Sequence, residues 1–305
     1  MEIHMRKYFL FLLLISGMLF ASDPKIRCSG EMKTKWEYID MNVFIAQVKY
    51  GARYEYENLK VVTELKAKYA LCVYYDSLVF DIERSYFTYD LTDHLNITLG
   101  RDNLKELFES EVQYGSKFNG AALGFDLARL SLKTAAFVPG MEGYYAGCGQ
   151  IQVQPFDFPL QLAYSITLWG SKEENCDEYR ISQISGKLSP FKKFPLVLSA
   201  GWLINDRQEN NNISEYASVE IGNPYPQNKG DWNVAATVRK IAVNTLPCID
   251  RRGICNDCSG SGISVEAIYM ASDRLSFKGR VEVDQVDQSV RERVELYEMS
   301  AICKF

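Results

Sequence analysis

The chain of 305 residues carries 34 Lys and Arg against 39 Asp and Glu, a formal net charge of −5, and 47% of it is apolar. That acidic balance gives no ground for a nucleic-acid partner. With 19 Tyr, 16 Phe and only 9 Pro, the composition describes a strand-rich chain, because aromatic and β-branched residues favour pleated surfaces, and no shift in composition marks a second domain.

Arg6 and Lys7 precede an apolar run from Tyr8 to Phe20, and Ala21-Ser22 stand before Asp23. This is the layout of a secretory signal peptide, so residues 1–22 are predicted to be removed and 23–305 to form one exported domain. The run is short of the roughly 20 apolar residues a spanning helix needs, and no later segment approaches that length. The exported chain is therefore soluble, or it crosses a membrane with strands.

A first strand is predicted over 32–40, with Trp36 and Tyr38. The clearest one covers 46–57: Ala46, Val48, Tyr50, Ala52, Tyr54 and Tyr56 share one face, and Gln47, Lys49, Gly51, Arg53, Glu55 and Glu57 the other. After Asn58 the pattern restarts, with Val61, Thr63, Leu65, Ala67, Tyr69 and Leu71 opposite Glu64, Lys66 and Lys68. Alternation continues over 78–88, 95–100, 121–127, 130–138, 145–153, 160–168, 179–188, 196–204, 216–222, 232–241, 263–270, 275–283 and 294–305. It is ragged in 78–88 and 179–188. One face stays polar strand after strand, which favours a water-filled lumen lined by Lys49, Arg53, Glu64, Lys66, Lys68 and Lys133.

In the last strand Tyr297, Met299, Ala301, Cys303 and Phe305 share a face, and the chain ends on Phe305. Taken alone, these nine residues also suit an amphipathic strand that finishes a soluble sheet. The segment resembles the closing strand of Gram-negative outer-membrane β-barrels. That resemblance implies an outer-membrane location and makes Tyr297, Met299 and Phe305 the signal read by the barrel-insertion machinery.

The predicted connections alternate in length. Short ones fall at 58–59, 90–94, 128–129, 155–159, 189–194, 223–230 and 272–274, and longer ones at 72–77, 102–120, 139–144, 171–178, 205–213, 242–262 and 284–293. Outer-membrane barrels have short periplasmic turns and longer outside loops, so the first set is assigned to the periplasm. Strand 46–57 then runs toward the periplasm and needs an upward strand before it. With 32–40 supplying that strand, the expected fold is an all-β, antiparallel up-and-down transmembrane barrel of about 16 strands, large enough for an aqueous channel.

The loop after the fifth strand is the most informative. Ile97-Thr98-Leu99-Gly100-Arg101-Asp102, followed by Glu109-Ser110-Glu111-Val112-Gln113-Tyr114-Gly115-Ser116-Lys117-Phe118-Asn119-Gly120, resembles the strand and inward-folded loop of porins, over about 25 residues of specific character. The resemblance implies a passive channel for small hydrophilic solutes, narrowed by Arg101, Asp102, Lys105, Glu106, Glu109, Glu111 and Lys117. Charges of opposite sign facing across such a narrowing set up a transverse field. The alternative for 103–112 is a short surface helix with a solvated charged face.

Cys28, Cys72, Cys148, Cys176, Cys248, Cys255, Cys258 and Cys303 remain after leader removal, and in an oxidising compartment they are candidates for disulfides. The topology puts Cys28 and Cys303 near the periplasmic rim and the others on or near the outer side, with connectivity open. Cys255 and Cys258 also have metal-ligand spacing, but their loop contains no His. The cysteine density is similar to that of the disulfide-linked porins of chlamydiae. It supports a second reading, a cross-linked structural or host-contact surface protein with little channel activity.

His94 is the one His beyond the leader, placed in a turn beside Asp93, so no nucleophile and base come together and no enzyme, metal or cofactor is expected. The partners implied are outer-membrane lipid, the insertion machinery, small hydrophilic solutes, and a homo-oligomer or disulfide-linked neighbours.

Overall fold

A computed structural model describes residues 26–39, 41–72, 76–114, 117–139, 144–155, 159–171, 179–191, 194–247, 260–286 and 292–305. The expected signal peptide, Cys176, Cys248, Cys255 and Cys258 lie outside these residues, as does the side chain of Cys72.

Sixteen strands close into one antiparallel barrel: β1 (Ile26–Ile39), β2 (Met41–Tyr56), β3 (Leu59–Cys72), β4 (Asp76–Thr92), β5 (Leu95–Asn103), β6 (Lys117–Leu127), β7 (Leu130–Pro139), β8 (Tyr144–Val153), β9 (Leu160–Ser171), β10 (Tyr179–Leu188), β11 (Leu196–Asn205), β12 (Ile213–Gly222), β13 (Trp232–Ile241), β14 (Gly260–Ser272), β15 (Leu275–Val286) and β16 (Glu292–Lys304). Every strand pairs with its sequence neighbours, and β1 closes on β16. The fold class is borne out. Several strands run past their predicted ends, because apolar alternation reports only the depth of an apolar surround whereas the hydrogen-bonded ladder continues into polar sequence.

This extension blurs the expected loop pattern. The connection predicted over 72–77 shrinks to 73–75, and β1 and β2 are separated by residue 40 alone. At the opposite end, tight turns such as Glu57-Asn58 and Asp93-His94 coexist with the longer stretch from Asn223 to Asp231.

The β1–β16 seam continues through Phe305. Gly30 N donates to Phe305 O at 2.8 Å, and Phe305 N donates to Gly30 O at 2.9 Å. The Phe305 ring occupies the space a side chain at Gly30 would need.

The barrel's outer face is apolar. Phe44, Leu78, Phe80 and Met299 are exposed by 60%, 61%, 71% and 66% on strand phases that alternate with inward charge. In an aqueous protein these positions would be the core, so the sheet is inside out relative to a soluble fold.

Candidate functional site

The loop between β5 and β6 folds inward. It contains one turn of 3₁₀ helix, Leu104–Glu106, where the sequence offered a helix over 103–112. Leu104, Phe108, Val112 and Tyr114 are almost fully buried, and they pack with Phe118, Ala135, Phe137, Ala146, Trp169, Ile181, Leu203, Tyr216 and Ile241, which belong to strands β6 to β13. These strand residues lie on the inner face, the phase opposite to exposed residues such as Ile184 and Trp202. Burial of the apolar side chains drives the docking.

Hydrogen bonds fix its register. Glu109 N donates to Gln150 Oε1 at 3.1 Å, and Glu109 O accepts from Gln183 Nε2 at 2.8 Å and Gln150 Nε2 at 3.3 Å. Tyr114 donates from its hydroxyl to Ser165 Oγ at 3.1 Å, within reach of Cys148 Sγ and Thr167 Oγ1 at 3.4 Å each.

The seven residues expected at the narrowing separate into two groups. Arg101, Asp102 and Lys117 hold the loop's two roots to β4: Asp102 accepts from Arg84 Nε at 2.6 Å and Nη2 at 3.2 Å, Lys117 Nζ reaches Asp81 and Glu83 at 2.9 Å each, and an Arg101 guanidinium nitrogen lies 3.5 Å from Asp81. These charges are therefore paired along one wall, where the sequence suggested charges facing across an opening. They can reach β4 because its stretch 76–84 continues beyond its last β5 partner, Arg101 opposite Ser85. Lys105 is exposed, Glu111 is half-buried, and the Glu109 carboxylate lies 3.9 Å from Lys187. The side chain of Glu106 is outside the described residues.

Gly100 has φ +127°, and a Cβ there would meet Ser85 O and the Tyr86 backbone. Only glycine suits both constraints where the strand turns into the loop.

The expected lumen residues take inner positions. Lys49 pairs with Glu64 at 3.3 Å, Lys66 with Glu83 at 2.5 Å, and Arg53 with Glu55. Lys68 stands in register with Gln47 and Val79, and Lys133 with Gly124 and Gln150.

Other inner charges carried no separate sequence signal. Glu298 lies 3.2 Å from Lys33 and 3.0 Å from Lys35, Lys278 lies 2.5 Å from Glu266, and Arg239 contacts Asp284 at 2.8 Å as well as Glu282, which also meets Arg280. A bulge explains the ragged stretch 78–88. Arg84 is opposite Glu64 while Ile82 is opposite Leu65, so Glu83 is an extra residue and two consecutive charges, Glu83 and Arg84, serve the same wall.

One cysteine placement changes. Cys28 and Cys303 are not bonded to each other, since Cys28 is in register with Ala52 and Cys303 with Met32, several residues apart along β1. Cys148 is not at the outer side: it lies mid-strand on the inner wall beneath Tyr114. His94 is exposed in its two-residue turn.

No family model matches the chain, and no curated protein matches it by sequence. Solved structures do match its fold. OprB of Pseudomonas putida aligns in its low-pH form with a TM-score of 0.63 and 10% identity, over 92% of this chain and 93% of that one. The high-pH form gives a TM-score of 0.64 and 8% identity, over 92% and 94%. A triple mutant of the Rhodopseudomonas blastica porin aligns at 0.56 and 10% identity, over 92% of this chain and all of that one. The architecture is that of bacterial porins, a closed sixteen-stranded barrel.

Proposed function

We propose that this chain is an outer-membrane porin, a passive water-filled channel for small hydrophilic solutes. The observation that carries the reading is the inverted barrel, apolar outside and charged inside, with a loop docked on its inner wall. A ten-residue strand rises about 33 Å, and at a tilt near 45° it spans about 25 Å, the height of an outer-membrane apolar band. The fold shared with bacterial porins supports the same conclusion.

Residues 1–22 would then direct export and be cleaved, and outer-membrane lipid would surround the barrel. The insertion machinery would read Tyr297, Met299 and Phe305, and a homo-oligomer would match the habit of many porins. The loop from Asp102 to Gly120 would narrow the passage. Resemblance to the chlamydial cysteine-rich type rests on cysteine number, and Cys28 and Cys303, which are not bonded to each other, lend it no support.

Liposome swelling tests the function. Vesicles holding the purified barrel should swell in small sugars and progressively more slowly as solute size increases. Vesicles that do not swell, despite folded protein in the bilayer, would favour the cross-linked structural surface protein.

A further inference from the structure

The interior is chemically two-sided. On β8–β12 the inner face presents mainly neutral amides and hydroxyls, among them Gln150, Ser165, Thr167 and Gln183, together with the apolar positions that receive the loop; Lys187, beside Glu109 of the loop, and Glu220, bonded to Asn233, are charges on the same face. Leu246, beyond β13, joins the same cluster and is fully buried. Among the described residues, the apolar cluster draws no member from β1–β5 or β14–β16. On that second arc the wall carries charges of both signs in close pairs: Lys33 and Lys35 on Glu298, Lys49 on Glu64, and Lys278 on Glu266. Among the described residues, no loop packs over these pairs.

We propose that the permeation path is eccentric, following the charged arc, and that its preferred solutes are zwitterions such as free amino acids and short peptides. This rests on the channel reading. A lone ion gains little from a wall of closely spaced opposite charges, because attraction to one member of a pair is offset by repulsion from the other. A solute that carries an ammonium and a carboxylate a few ångströms apart can engage both members together, and it can do so at successive pairs along the wall. Charges of both signs on one wall also differ from a transverse field, which needs each sign gathered on its own side of the opening.

The experiment compares fluxes through the reconstituted full-length mature protein. Diglycine should enter vesicles at least about twofold faster than a neutral solute of equal size, the rate change equivalent to one exposed ion pair. The reversal potential in a potassium chloride gradient should stay near zero. The Lys33→Gln, Lys35→Gln, Glu298→Gln triple variant should lose the diglycine advantage while neutral flux is kept, and Gln152→Ser on the neutral arc should retain it. If the triple variant does not assemble, the pair Lys278→Gln, Glu266→Gln reads the same effect elsewhere on the arc. Equal diglycine and neutral fluxes in wild type, or a strongly ion-selective reversal potential, would overturn the proposal while leaving the channel intact. Absence of flux for every solute would defeat the channel reading and the proposal together.

Discussion

Phe108 is the side chain that best measures how the inner loop is held. It is 3% exposed and stacks on Tyr114 with ring centroids 5.3 Å apart. Phe108→Ala removes a buried aromatic, a change that costs about 3–5 kcal/mol in well-packed cores. Leu104 and Val112 and the ion pairs at the two roots still tether the loop, but around Phe108 itself the polar attachments are the Gln150 and Gln183 hydrogen bonds to Glu109 and the hydroxyl of Tyr114. Each contributes only about 1 kcal/mol net, so they cannot replace the lost packing. At about 1.4 kcal/mol per factor of ten, the undocked fraction of the loop should rise at least a hundredfold. Single-channel recording detects this as flickering and a changed mean conductance, with larger fluctuations when Gln183→Leu is added. The barrel itself, held by sixteen ladders, should still migrate as a folded species. Conductance and noise identical to wild type in the double variant would refute the idea that the loop borders the path.

Three further outcomes are expected. Replacing Phe305 with Asp removes the ring over Gly30 and puts a charge at the β1–β16 seam, so the protein should be exported but reach the outer membrane at a small fraction of its normal level; normal levels would reject the terminal strand as the insertion signal. A tag inserted at Asn210 should be labelled on intact cells and one at Asp273 should not, and labelling at Asp273 would reverse the orientation. In the turn before β13, backbone N–H groups of Asn228 and Gln227 and the Asn223 side chain hold the Asp231 carboxyl below its ordinary range. Since the folded value is depressed, its support of the turn is present above pH about 4 and lost as pH falls through the lowered value. Protection of the Gln227 and Asn228 amides, taken as intrinsic over observed hydrogen-exchange rate at each pH, should fall over that interval, and unchanged protection would show that the carboxylate does not hold the turn.

The barrel was legible because its signal is repeated. Val48 or Tyr50 alone says little, but sixteen alternating stretches separated by turns leave few other solutions. The docking of the loop was legible only in part. Its charges drew notice, whereas the residues that seat it are Phe108, Val112 and Tyr114, and their partners Ile181, Leu203 and Ile241 lie on inner positions that pattern reading assigns to polar residues. Raggedness was the available clue. Ile181 breaks the expected polar phase of 179–188 because a loop covers it, and Glu83 breaks 78–88 because it is a bulge. Ion pairing was not legible at all: Asp102 finds Arg84, and Glu298 finds Lys33 across the closing seam, through register that no local pattern encodes.

Planar-bilayer recording of the purified, refolded barrel decides whether it is a channel. Discrete stepwise openings are expected, with a conductance that scales with electrolyte concentration, as a water-filled passage requires. A barrel that inserts, shows heat-modifiable migration and yet stays electrically silent would contradict the channel reading.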